Sequence, residues 1–280
     1  MKTRLLLMIL AFVGQVFTSA AQIKTAKDID YGQEQGKVSN QLNIYYPADT
    51  SVKKGVVVFI HGGSWSSGKK ETYWWLGRNL ARKGLVAVMI NYGLAPDQQY
   101  AQMAQDCAAA VAWVSKHISP YGGNPERIFL MGHSAGGHLA ELINADPEYL
   151  KTVGFKGEIK GMILNDAFGL DMNEYLSKAE HDDNYYNFLR TFSESPEVWT
   201  KASPLNYVQQ IKNPHLIFYG GKTYPAIQLQ SERIQKQLTQ QKVPSTIHVI
   251  EGKKHVGMIS QMIFGSNQLY QKILDFVTRN

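Results

Sequence analysis

The run Val56-Val57-Val58-Phe59-Ile60 carries no polar residue on either side of a strand. An extended segment points successive side chains to opposite faces, so a strand that is apolar throughout must be covered on both. Four further runs of this kind stand at residues 85–90, 128–131, 162–164 and 216–219, and a sixth strand-like run, β-branched but carrying Thr246 and His248, stands at 246–250. The stretches between and after them, 71–83, 100–117, 135–145, 226–241 and 267–278, are helical in character. In the second of these, Met103, Cys107, Ala110, Val111 and Val114 return at helical spacing. Such alternation predicts an α/β fold, a mostly parallel sheet with helices on both faces. Segments 23–31 and 42–46 read as a hairpin at the sheet edge, which brings the sheet to eight strands.

Residues 171–204 break the alternation. They are polar and aromatic (Tyr175, Tyr185, Tyr186, Phe188, Trp199) and hold no strand-like run. Long insertions in compact domains often act as lids, so this segment reads as a small helical cap over the sheet end. The remainder fits a single domain over residues 22–280. A chain that is 44% hydrophobic supports a large core, and a single Cys excludes a disulfide framework.

The first 21 residues read as a signal peptide. Lys2 and Arg4 precede an apolar run at 5–17, and Ser19-Ala20-Ala21 supplies the small residues of a cleavage site before Gln22. That run is shorter than the roughly 20 residues of a membrane span. The expectation is therefore a secreted or periplasmic protein with no membrane span after cleavage. The net charge of +6 comes from 29 basic and 23 acidic residues, and no Lys/Arg run exceeds a pair. This is a solvated surface rather than a nucleic-acid footprint. Metal-ligand spacings of Cys and His, including H-E-x-x-H, are absent, so no metal site is expected.

Chemistry enters at Gly132-His133-Ser134-Ala135-Gly136-Gly137, between the strand at 128–131 and the helix at 135–145. A strand that turns sharply into a helix needs residues without side chains two before and two after the Ser. The Ser then projects at the carboxyl end of the sheet, over the positive end of a helix that favours developing negative charge. His61-Gly62-Gly63-Ser64-Trp65 directly follows the first buried strand. Its glycines let backbone N–H groups turn toward a bound oxygen. With the N–H of Ala135 they would form an oxyanion hole. His61 then organises the turn. The base is expected after the last strand, where His255 follows Glu251-Gly252-Lys253-Lys254, in the chain order Ser before His. His117, His133, His138, His215 and His248 lie in or beside helices, strands and the elbow and fit that role less well, while His181 belongs to the cap. Cys107 reads as a small buried helix residue. Trp65, Trp74 and Trp75 read as core packing, with an aromatic pocket wall as the alternative.

These residues, with Asn91-Tyr92-Gly93-Leu94-Ala95-Pro96, Asp106, the segment from Tyr121 to Ile128, the elbow through His138-Leu139-Ala140, and Ala202-Ser203-Pro204, resemble one family over most of residues 40–260. It is the carboxylesterase branch of the α/β-hydrolases, related to hormone-sensitive lipase, the bacterial feruloyl and acetyl esterases, and kynurenine formamidase. The resemblance implies a Ser-His-acid triad and no cofactor, with Ser134 and His255 in the matching positions and the N–H groups of Gly63, Ser64 and Ala135 as oxyanion donors. It places the acid in the loop after the strand at 216–219, where this chain has Thr223. Thr fixes a tautomer by accepting a hydrogen bond but brings no charge, a loss worth about 10⁴ in kcat in the serine-protease template. Asp166, at the end of the preceding strand, is a relocated alternative, and Asp171 lies five residues on.

The expected activity is hydrolysis of carboxylic esters through an acyl-enzyme, on a small-molecule or carbohydrate-linked ester. Two other readings stay beside it. One is an arylformamidase-like amide hydrolase, prompted by Pro225 and Gln230-Ser231. The other is a hydrolase-fold binding protein, prompted by Thr223. Acyl and alcohol specificity and oligomeric state are not legible here.

Overall fold

The computed structural model describes residues 22–32 and 36–280, and the signal-peptide reading of 1–21 falls outside them. Eight strands form one sheet: β1 (Ile23–Asp30), β2 (Gln41–Pro47), β3 (Lys54–Ile60), β4 (Val86–Ile90), β5 (Gly123–His133), β6 (Ile159–Asn165), β7 (His215–Gly220) and β8 (Ser245–Ile250). Their order is β1-β2-β4-β3-β5-β6-β7-β8. The first two strands run antiparallel at one edge, and every pairing from β4 through β8 is parallel.

The all-apolar strands do what their pattern requires. Val56, Val58 and Ile60 enter a core layer with the helices Tyr100–His117, Ala135–Ala145 and Pro225–Gln240. Val57 and Phe59 enter the opposite layer with the helices Trp74–Arg82, His255–Ser260 and Gln268–Arg279. The helix over 100–117 keeps the bounds its periodicity predicts, and Cys107 is buried in it. Of the three tryptophans, only Trp65 is fully buried. Trp74 is half exposed, with the Arg78 guanidinium 5.5 Å over its ring, so it is not core.

The register places the sheet's chemistry. Ile60 lies beside Gly132, and His133 beside Asn165, so the chain leaves β3, β5 and β6 side by side at their carboxyl ends. In open α/β sheets this end is where ligands bind. Residues 171–204 fold as three helices, Met172–Lys178, Asp183–Phe192 and Pro196–Lys201. Asp171 and Asp182 cap the first two through the backbone N–H groups of Glu174 and Tyr185. Phe188 and Phe192 set their edges against Trp65, at 5.4 and 4.8 Å between ring centres. Among the described residues no helix is long and apolar enough to cross a membrane.

Candidate active site

The turn from β5 into the helix Ala135–Ala145 holds Ser134 at φ 55, a left-handed backbone at a non-glycine residue. The neighbouring glycines are forced by space. A Cβ at Gly132 would lie 2.3 Å from the Gly136 carbonyl oxygen, and one at Gly136 would lie 2.1 Å from that of Ile60. The helix thus starts against the end of β3, with the Ser at its amino terminus.

His255 begins the helix after β8. Its Nε2 accepts the Ser134 hydroxyl at 2.8 Å, and its Nδ1–H donates to Asp166 Oδ2 at 2.6 Å. Asp166 is fully buried and follows β6 with φ 53. Its backbone N–H donates to the Phe218 carbonyl on β7 at 2.7 Å, which fixes the residue across the strand ends. Asp carries such a backbone more readily than most residues. Its Oδ1 accepts the Gly220 N–H at 2.7 Å.

Thr223 lies beside Asp166, and its hydroxyl donates to Oδ2. The partner of the His255 Nδ1 is therefore the carboxylate of Asp166. Asp171 is engaged elsewhere, as helix cap and ion-pair partner of Arg233 at 3.1 Å. Glu251 is exposed in the turn after β8.

The loop after β3 takes left-handed backbone at three successive residues, Gly63 (φ 130), Ser64 (φ 52) and Trp65 (φ 58). At Gly63 a side chain would strike the Ser67 carbonyl at 2.1 Å. The N–H groups of Gly63, Ser64 and Ala135 donate to no backbone carbonyl among the described residues. They are available to an oxygen held over Ser134.

Three further histidines of this region, His61, His133 and His138, are buried and held neutral. His61 stacks on Tyr92 at 4.5 Å, bonds the Gly62 carbonyl through Nδ1, and is held down to about 4 by burial. The Tyr92 hydroxyl donates to the His61 carbonyl at 2.9 Å. His138 accepts the Trp65 indole N–H at Nδ1 (3.2 Å) and donates from Nε2 to the Ala202 carbonyl (2.7 Å). Burial lowers it to about 4 as well. This chain of bonds ties the loop after β3, the helix after the Ser and the end of the three-helix insertion together, and spacing alone gave no sign of it. His133 stacks on His255 with ring centres 4.9 Å apart, and burial, helped by His255, lowers it to about 3. His181 is exposed and stacks on Tyr185, at 4.1 Å.

An aromatic series leads away from the imidazole. Tyr224 faces His255 at 5.2 Å, Phe168 faces Tyr224 at 6.3 Å, and Tyr175 faces Phe168 at 4.8 Å. Tyr175 also lines a cavity of about 210 Å³ between the helices Met172–Lys178 and Pro225–Gln240. A larger cleft of about 820 Å³ lies at the amino ends of β6 and β7, and none of the site residues lines it. Among the described residues no three His, Cys, Asp or Glu side chains converge as a metal would require.

A family model described as BD-FAE matches residues 42–238. The chain is 28% identical over 287 residues to a probable isoprenylcysteine alpha-carbonyl methylesterase of Oryza sativa subsp. japonica, covering 95% of this chain and 65% of that protein. Related plant proteins are likewise covered over only 55–65% of their length. A kynurenine formamidase of Salmo salar is 27% identical over 92% of this chain and 83% of its own. Among solved structures, a truncated carbohydrate esterase from gut microbiota has a TM-score of 0.76 at 18% identity, covering 93% of this chain and 96% of its own. Esterase B of Lactobacillus rhamnosus has 0.75 at 21%, covering 92% and 86%. At these identities the structures establish the α/β-hydrolase fold.

Proposed function

The chain belongs to the BD-FAE family, and we propose that it is a serine hydrolase that cleaves carboxylic esters through an acyl-enzyme. The observation that carries this reading is the unbroken series Asp166 Oδ2, His255 Nδ1, His255 Nε2, Ser134 Oγ, with links of 2.6 and 2.8 Å. Ser134 Oγ attacks the ester carbonyl carbon and passes its proton to His255 Nε2. The carbonyl oxygen takes the negative charge and is held by the N–H groups of Gly63, Ser64 and Ala135. Collapse breaks the bond to the alcohol, which leaves with the proton from Nε2. Water then attacks the acyl carbon and gives a proton to Nε2; collapse breaks the bond to Ser134 Oγ, which takes that proton back, and the acid is freed. Asp166 keeps Nε2 unprotonated at the start and stabilises the imidazolium in between. The sequence needs no cofactor.

The substrate class we infer is a short acyl or aryl ester, on a small molecule or a carbohydrate. The aromatic series from Tyr224 to Tyr175 supports an aryl group, and the carbohydrate-esterase neighbour supports a sugar-linked one. The leader reading supports a secreted or periplasmic location. A fluorophosphonate probe tests the mechanism: it should label the wild type and not Ser134→Ala. Hydrolysis of acetyl and feruloyl sugar esters tests the substrate class, and activity confined to unrelated esters would remove it.

The formamidase relative, which matches along most of both chains, favours a second reading as an amide hydrolase. An N-formyl aryl amide cleaved faster than any ester would select it.

A further inference from the structure

The structure assigns Thr223, which occupies the position where the resemblance expects an acid, a task of its own: we propose that its hydroxyl is the positioning donor that holds the Asp166 carboxylate toward His255. This rests on the triad reading above. A carboxylate facing a protonated Nδ1 only accepts, and a Thr hydroxyl has a single hydrogen to give. Between Thr223 Oγ1 and Asp166 Oδ2 the Thr is therefore the donor. The same oxygen accepts the His255 Nδ1–H, while Oδ1 accepts the Gly220 N–H.

The two donors act on different oxygens. Torsion about the Cβ–Cγ bond of Asp is soft and turns both oxygens together, so each added donor narrows the arc the carboxylate can sweep. Gly220 at Oδ1 and Thr223 at Oδ2 restrain that one rotation from its two ends. The donor itself is fixed by backbone. The Thr223 N–H donates to the Gly220 carbonyl at 3.0 Å, the Lys222 N–H to that of Lys253 at 2.9 Å, and the Gly221 N–H to that of Ile250 at 3.0 Å. The loop that carries Thr223 is thus tied to the turn that carries His255. An Asp at 223 would set a second carboxylate against the first, whereas Thr supplies the hydrogen the first one needs. With the carboxylate at 166, the position at 223 calls for a donor.

The experiment compares Thr223→Val and Thr223→Ala, which remove the donor, with Thr223→Ser, which keeps it. The readouts are kcat, KM and the pH profile of kcat/KM on one ester. Loss of the donor should lower kcat roughly ten- to a hundredfold, the range of a hydrogen bond to a charged group, with KM within about twofold. Thr223→Ser should stay within about threefold of the wild type. Freed of one donor, the carboxylate attracts the imidazolium more strongly. The acidic limb of the profile should therefore move up in Val and Ala. A role in packing alone would leave that limb in place. If Val and Ala match the wild type in kcat and limb, or if Ser falls as far as they do, the proposal is overturned while the triad reading stands. If the wild type neither labels with a fluorophosphonate nor turns over, both fall together.

Discussion

Replacing Asp166 by Asn tests the candidate site at its least expected member, and the hydrogen bonds dictate how the amide must sit. The Gly220 N–H points at Oδ1, so the Asn oxygen has to stay there; the NH₂ in that place would set donor against donor. The NH₂ then takes the place of Oδ2, between Thr223 and His255. The Thr hydroxyl can rotate and accept one of its hydrogens. The other faces His255 Nδ1, which must now accept. That selects the tautomer with hydrogen on Nε2, which cannot take the Ser134 proton. The lost charge and the wrong tautomer together cost about 10⁴ in kcat in the serine-protease template, or about 5 kcal/mol of transition-state stabilisation. Steady-state turnover of a p-nitrophenyl ester, with circular dichroism to show the fold intact, gives the number. The residual rate should still exceed the uncatalysed one, because the three N–H groups are untouched. A folded Asp166→Asn enzyme within about tenfold of the wild type would refute the reasoning, because neither a charge nor a tautomer would then depend on residue 166.

Other outcomes follow from the same geometry. Gly136→Ala would press a methyl against the Ile60 and His61 carbonyls, at 2.1 and 2.4 Å, where only backbone can yield; thermal melting should show a loss of about 2 kcal/mol or more, and an unchanged melt would contradict it. Trp65→Phe removes the indole N–H and leaves His138 Nδ1 buried without a donor, at about 1–3 kcal/mol in chemical denaturation, whereas a loss under about 0.5 kcal/mol would show the bond to be idle. His61 and His138 are held down to about 4, and His133 to about 3, by burial, while the unfolded chain protonates near 6.5. The unfolded state therefore binds more protons between those values. Stability is complete above about pH 6.5 and falls as pH drops toward 4, by up to about 1.4 kcal/mol per pH unit for each histidine. A melting temperature that is flat from about pH 7 to about pH 5 would contradict this.

The sheet and its helices were legible because burial writes itself into the sequence. A strand covered on both faces has to be apolar at every position, and the helix over 100–117 repeats its apolar residues on one stripe. The elbow was legible for a steric reason: the spaces at Gly132 and Gly136 admit no side chain. The partner of His255 was narrowed to Asp166, Asp171 or Thr223 and no further, because that choice depends on the third dimension. Asp166 and His255 are 89 residues apart, and what joins them is the pairing of β6 with β7 and a left-handed turn at Asp166. Neither leaves a local pattern. The link from Trp65 through His138 to Ala202 is of the same kind, a network of single contacts between distant segments. Trp74 shows the opposite failure, since its hydrophobicity suggested core while the helix turns it outward to Arg78.

One backbone property connects the legible and illegible parts. Side chains of a strand alternate above and below the sheet, so a residue that continues a strand points into a core layer. To reach a substrate, a side chain has to leave along the strand axis instead, past the carboxyl end. A left-handed residue makes that turn at once. Among the described residues seven non-glycine positions have positive φ, and four of them are Ser64, Trp65, Ser134 and Asp166, at the ends of the adjacent strands β3, β5 and β6. Each such residue costs on the order of 1–3 kcal/mol and persists only where its surroundings fix it. Here the fixing groups are visible: the Phe218 carbonyl on the Asp166 N–H, the packed glycines around Ser134, and the Ser66 and Ser67 N–H groups on the Gly63 carbonyl. Strain gathers at the one edge where the sheet's own geometry would otherwise bury the reactive side chains, and the two apolar layers beneath are what hold it there.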